Sequence, residues 1–261
     1  MILRLAFLIF ILLPITLVGL PIQMVIVAAG WRFWPVLPRI FFKLFAFGLG
    51  LKITCIGAPV KGRPVLLVSN HISWLDIPAI AASADVTFVS KAEVAKWPVI
   101  GFMAGLARTI FVDRTRRTDT KRTNERMSER LAEGGAVLLF AEGTSDVGTH
   151  VRPFRSALLG AAQATLSEGA GEPVLVQPMA IGYTALNSLP IGRAERGRVA
   201  WVGDMGVTDN LVAILSSGRT DITIAFADPL PPDLDRKAAA ERAEATVRRM
   251  LVAINRRRPL P

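Results

Sequence analysis

His71 and Asp76, five residues apart, are the pair in this chain best suited to moving a proton. An imidazole titrates near neutrality, and a carboxylate beside it fixes its tautomer and stabilises the imidazolium. His71 directly follows the apolar run Val65-Leu66-Leu67-Val68-Ser69-Asn70 in a chain with only two histidines. Three other apolar runs also end on chemistry-bearing residues. Lys91 and Glu93 follow Val86–Val89, Asp113 and Arg114 follow Thr109–Val112, and Glu142, Gly143 and Thr144 follow Ala136–Phe140. A guanidinium presents a planar fork suited to phosphate oxygens, although Asp113-Arg114 also suits an ordinary ion pair at a strand end. Gly143 lets the backbone approach a ligand closely, with Thr144 and its amide as donors. Lys91 suits an oxyanion or a phosphate as well as a salt bridge to Glu93. His150 lies in a polar turn with no acid spaced to orient it and reads as solvent-exposed.

The elements that position these residues follow from the apolar pattern. Residues five apart on a helix face about 140° away from each other, so His71 and Asp76 meet only if the chain turns between them. Ser73-Trp74-Leu75-Asp76 supplies that turn as an S-x-x-D capping box opening a helix. Strands are expected at Val65–Ser69, Val86–Val89, Thr109–Val112, Ala136–Phe140, Val174–Ile181, Arg198–Val202 and Asp221–Ala225. Helices are expected at Thr120–Glu133, stopped by Gly134-Gly135, and at Asp235–Asn255. This alternation argues an α/β fold, a largely parallel central sheet flanked by helices. Such sheets bind ligands just beyond their strand ends.

The amino-terminal part differs. Leu5 to Trp31 carries no charged side chain, about 40 Å if helical, enough to cross a hydrocarbon core of about 30 Å. Pro14 and Pro21 argue against one unbroken helix there. The run is too long for the apolar core of an ordinary secretory leader. Ile40-Phe41-Phe42-Lys43-Leu44-Phe45-Ala46-Phe47 reads as an interfacial helix at headgroup level. Arg32, Arg39 and Lys43 follow the apolar segment and only Arg4 precedes it, which puts the downstream side in the cytoplasm. Residues 1–55 are therefore taken as a membrane-associated helical segment and 56–261 as the α/β domain. With 31 Lys and Arg against 21 Asp and Glu, the net charge of +10 favours anionic partners. No nucleic-acid module accompanies that charge. The lone Cys55 excludes an internal disulfide framework and a cysteine metal cluster.

Asn70-His71-x-x-x-x-Asp76 resembles the first signature of the glycerolipid acyltransferases, a family that includes 1-acylglycerol-3-phosphate acyltransferases. Phe111–Arg114 resembles the second, Phe140-Ala141-Glu142-Gly143-Thr144 the third, and Val176-Gln177-Pro178-Met179-Ala180 the fourth. Ala141 replaces a proline of the third signature, and Ser145 replaces the basic residue that follows it. Arg152-Pro153-Phe154-Arg155 resembles the Pro-Phe-Lys segment of relatives, with Arg155 at the lysine place. The resemblance implies His71 as general base oriented by Asp76, and Arg114, beside Asp113, as the ligand of a glycerol phosphate. It implies Glu142 either accepting from the substrate's hydroxyl or pairing with Arg114, and an amino-terminal two-helix motif embedded in one leaflet. Phe140–Ser145, Val176–Pro178 and Ala200–Met205 resemble bacterial lysophospholipid acyltransferases that also include lyso-ornithine-lipid acyltransferases.

The implied reaction moves a fatty acyl group from an acyl carrier protein or coenzyme A thioester to the free hydroxyl of a lysophospholipid. Lysophosphatidate is the first acceptor considered and a lyso-ornithine lipid the second. A thiolate leaves readily, so no cofactor and no metal is implied, and the nucleophile elbow G-x-S-x-G is missing. The expected partners are those substrates and membrane lipids, and no nucleic acid, at the inner membrane with the catalytic domain facing the cytoplasm. The alternative from another class is a membrane-anchored, non-catalytic basic binding protein.

Overall fold

The computed structural model describes residues 1–31, 33–97, 100–112, 136–156, 159, 174–203 and 206–261. In chain order the described elements are α1 (Ile2–Ala28), α2 (Val36–Gly48), β1 (Leu51–Ile56), β2 (Val65–Ser69), α3 (Asp76–Ser83), β3 (Val86–Lys91), α4 (Ile100–Leu106) and β4 (Ile110–Val112). They continue with β5 (Ala136–Phe140), β6 (Leu175–Leu186), β7 (Leu189–Pro190), α5 (Val207–Ser216), β8 (Thr220–Phe226) and α6 (Arg236–Asn255). The strands form one sheet in the order β1-β8-β6-β2-β5-β3-β4, with β7 paired to β6. β2 through β6 run parallel to one another, and β8 and β1, parallel to each other, run antiparallel to β6. All five parallel strands therefore end on the same edge.

β2 is the centre, buried at every position. Its side chains alternate between two cores, as the pleat requires. Val65 and Leu67 pack with Leu75, Ala79 and Ile80 on one face; Leu66 and Val68 pack with Ala243, Val247 and Leu251 on the other. Burial on both faces is why this strand is a continuous apolar run. α6 covers the second face with a stripe at helical spacing, and Asp235 caps it by accepting from the Lys237 and Ala238 amides, both at 2.8 Å.

Several expectations change. Residues 51–55, assigned from sequence to the helical segment, belong instead to the sheet's edge strand Leu51–Ile56, which runs in register with Thr220–Ala225. Arg198–Val202 is not a strand: a 3-10 turn spans Arg196–Arg198, and the Trp201 amide donates to the Ile72 carbonyl at 3.0 Å. Its backbone groups go to a loop and to the Asn210 side chain rather than to a ladder. Thr120–Glu133 lies outside the described residues.

The prolines do not break α1. A π-helical turn over Leu8–Leu12 precedes Pro14, and the helix runs on through Pro21. A widened turn absorbs the lost hydrogen bond that would otherwise end the helix. Only 6% of the most apolar window of α1 is buried. Its two ends nevertheless touch the α/β domain. Arg4 donates to the Gly218 carbonyl at 2.6 Å and reaches the Leu49 carbonyl at 3.5 Å. Gln23, 4% exposed, donates to the carbonyls of Trp34 and Leu106 at 3.0 and 3.2 Å.

Candidate active site

The site lies on the edge where the parallel strands end. The ladder between β2 and β6 closes at Ser69–Met179, and Asn70 extends it with its side chain. Its amide donates to the Ile181 carbonyl at 2.9 Å and accepts from the Ile181 N–H at 3.0 Å. That pairing ties the strand end to β6 just before His71 leaves the sheet.

The turn that sequence spacing requires is present, but it is half of a capping box. Asp76 Oδ2 accepts from the Ser73 N–H at 3.1 Å, whereas the Ser73 hydroxyl caps nothing and α3 has Leu75 at its N-cap. The same Oδ2 accepts from the Ile72 N–H at 2.7 Å and meets His71 Nδ1 at 2.8 Å. Asp76 Oδ1 accepts from the Tyr183 hydroxyl at 2.7 Å. Asp76 has no exposed surface, so this carboxylate is held entirely by protein donors. A carboxylate taking a hydrogen bond from Nδ1 places the proton on that nitrogen and leaves Nε2 with its lone pair. The His71 ring, with 17% side-chain exposure, stacks on Phe140 with centroids 4.0 Å apart and planes 19° from parallel. Carboxylate on one side and aromatic face on another fix the ring's orientation.

Glu142 is placed differently from expectation. Its Oε2 accepts from the His71 N–H at 2.8 Å and its Oε1 from the Arg152 N–H at 2.7 Å, with 3% of the residue exposed. Both oxygens thus brace backbone, and Arg114, the other partner expected for this carboxylate, lies outside the described residues. Burial pushes its carboxyl up to about 7, against the opposing pull of those two amides. The segment after β5 is bound to the His71 turn elsewhere too. The Asp146 N–H donates to the His71 carbonyl at 2.9 Å, and the Ser145 hydroxyl donates to the Trp201 carbonyl.

Gly143 turns with φ +73°, and a Cβ there would lie 3.0 Å from Arg155 Nε. Glycine lets that guanidinium lie against the backbone. Thr144 and Arg155 are exposed beside it. Lys91 ends β3 level with Val112, the last residue of β4, on the same edge as His71. Its side chain, and Asp113 and Arg114, lie outside the described residues. His150 is exposed, as expected, with Nδ1 3.9 Å from Asp146 Oδ1, an acid four residues earlier that the spacing did offer.

Sequence reasoning missed Tyr183 as part of the site, and gave no role to Asn70 and Phe140 although both stand in the matched signatures. A signal existed for Tyr183: it is the chain's only tyrosine, in an apolar strand, where a buried hydroxyl needs a partner.

With this geometry in hand, comparison with known proteins is direct. The family model described as Acyltransferase matches residues 52–182. The lyso-ornithine lipid O-acyltransferase of Brucella abortus is 41% identical over 89% of this chain and 87% of that protein. The 1-acyl-sn-glycerol-3-phosphate acyltransferase of Neisseria gonorrhoeae is 31% identical over 78% of this chain and 76% of that protein. The crystal structure of the 1-acyl-sn-glycerophosphate acyltransferase of Thermotoga maritima superposes with a TM-score of 0.65, covering 97% of this chain and 95% of that one at 20% identity.

Proposed function

Because the chain belongs to the acyltransferase family, we propose that it moves a fatty acyl group from a thioester to the free hydroxyl of a lyso-ornithine lipid, with His71 as the general base. The observation that carries the mechanism is the 2.8 Å contact between His71 Nδ1 and Asp76 Oδ2. It leaves Nε2 to take the hydroxyl proton as the oxygen attacks the thioester carbonyl. The C–O bond forms, the tetrahedral oxyanion collapses, the C–S bond breaks, and the departing sulfur takes the proton from the imidazolium. Gly143, Thr144 and Arg155, beside the His71 turn, are suited to hold the acceptor headgroup or the oxyanion. Lys91 and Arg114, with Asp113, follow strands that end on the same edge and are assigned to anionic groups of the substrates. Glu142 is assigned to bracing the turn.

Two things support the ornithine lipid as acceptor. The Brucella relative bears that activity in its name. Ser145 is uncharged where a phosphate-binding member would carry a cation, and its hydroxyl is engaged by the Trp201 carbonyl. Lysophosphatidate is the second reading, favoured by Arg114 and by the Neisseria relative. The donor is an acyl carrier protein or coenzyme A thioester. The enzyme sits on the cytoplasmic face of the inner membrane, with α1 lying along the bilayer surface. Arg4 and Gln23, about 28 Å apart along a helix, both bond to the same α/β domain, which suits a helix in one leaflet rather than one crossing the bilayer.

The test supplies purified protein with labelled acyl-coenzyme A and acyl carrier protein, and with each lysolipid in turn. Label should pass fastest to the lyso-ornithine lipid, and His71→Ala should reduce transfer at least about a thousandfold. Faster transfer to lysophosphatidate overturns the acceptor, and undiminished turnover by His71→Ala overturns the base.

A further inference from the structure

Among the described residues, three of the four donors to Asp76 converge on Oδ2, and Oδ1 receives only the Tyr183 hydroxyl. We propose that Tyr183 is a positioning residue for proton transfer, gripping Asp76 by one oxygen so that the other stays turned toward His71. This rests on His71 being the base.

A carboxylate tethered at one oxygen can pivot about its Cγ; tethered at both, its plane is set. Asp76 and Tyr183 have no exposed surface, so water does not replace the phenol. Tyr183 is delivered by β6, the strand that also receives the Asn70 amide two residues earlier, at Ile181. One rigid element thus sets both the strand end before His71 and the acid that orients its ring. The phenol remains a donor across the working range, since burial and the neighbouring Asp76 push it well above its ordinary value. Other ionisable groups around the ring act from elsewhere. Glu142 contacts its backbone N–H, the Asp146 N–H its carbonyl, and Arg152 and Arg155 reach Glu142 and Gly143 through the same segment. At metal sites, the groups hydrogen-bonded to a ligating histidine's other nitrogen set its orientation and basicity in the same manner.

Tyr183→Phe in the full chain removes one oxygen and no packing volume. It should lower kcat about tenfold and leave KM for thioester and lysolipid unchanged, since Tyr183 touches neither. The acidic limb of the pH–rate profile should move to higher pH, because a carboxylate with one donor fewer directs more charge at the imidazole. The chain has two histidines, so ring-nitrogen spectra resolve both: the His71 signals should change and those of His150 should not. Unchanged kcat and profile, or a loss matched by the loss of folded protein with His71 signals unmoved, overturns the proposal. A raised KM overturns it too. If the Phe variant does not fold, global 3-fluorotyrosine labels this one position, and its stronger donor should move the acidic limb to lower pH; no movement is then the overturning result. Activity in His71→Ala would remove the base assignment itself. An inactive His71→Ala beside a Tyr183→Phe with wild-type kcat and pH profile would remove only the role given to Tyr183.

Discussion

The His71 turn and helix α1 are opposite solutions to holding a segment in place. Around His71, Asp76, Asn70 and Glu142, all buried, each make two or more hydrogen bonds, and the Ser73 hydroxyl is the exception among the described residues of the turn. α1 presents Phe10, Leu17, Val18 and Val25 more than half exposed, and two polar side chains near its ends tie it to the domain. Proton transfer needs a donor and an acceptor held within a few tenths of an ångström, which a dense, dry hydrogen-bond network supplies. Membrane contact needs apolar area left uncovered, which packing would consume. The same chain therefore spends its polar groups where geometry matters and withholds burial where a bilayer provides it.

The comparison can be broken at either end. Asp76→Asn is expected to lower kcat about a hundredfold to a thousandfold while the protein stays folded, because an amide leaves the imidazole in the wrong tautomer; single-turnover acyl transfer measures it. Glu142 supplies a pH test. Its carboxyl is raised by burial from 4.5 to about 7, so the folded state binds this proton more tightly than the unfolded chain. That contribution is complete below about 4.5 and is lost as pH rises through about 7, amounting to at most about 3 kcal/mol. Denaturant unfolding between pH 4.5 and 7.5 should show that fall in wild type and a flatter line in Glu142→Gln. At the other end, Leu17→Glu with Val18→Glu should move the full-length protein from membranes to the soluble fraction on sedimentation, with unfolding midpoint little changed. Gly50→Ala gives the smallest effect. Gly50 has φ +73°, and a Cβ there would lie 2.4 Å from the Arg4 guanidinium. Losing that polar tether and adding backbone strain should cost about 1–2 kcal/mol, with kcat unaltered.

What could be read from sequence divides along the same line. β2 and β5 match their expected spans because a run buried on both faces looks like nothing else of that length. α6 was legible for its apolar stripe, and the structure adds its Asp235 cap. The meeting of His71 and Asp76 was legible because two such groups around one turn have few other ways to be satisfied. The backbone bonds of Glu142 were not legible, because a carboxylate after a strand suits a substrate or a backbone equally, and only the fold brings the His71 and Arg152 amides to it. Tyr183 was overlooked because its partner is 107 residues away, beyond any local pattern. β1 was missed because Lys52-Ile53-Thr54-Cys55 follows a helical stretch without a break in hydropathy.

β6 has 12 residues where its neighbour β2 has 5, and Ala180 to Leu186 extend past the last paired residue of that neighbour. This overhang works as a scaffold post standing behind the imidazole. Much of the machinery that orients the ring is fastened there, while the surface beside Gly143 and Arg155 faces outward on a separate loop. If that loop holds the acceptor headgroup, as proposed above, the lipid recognised can be changed by redrawing it, with the ring's tether to the post left as it is.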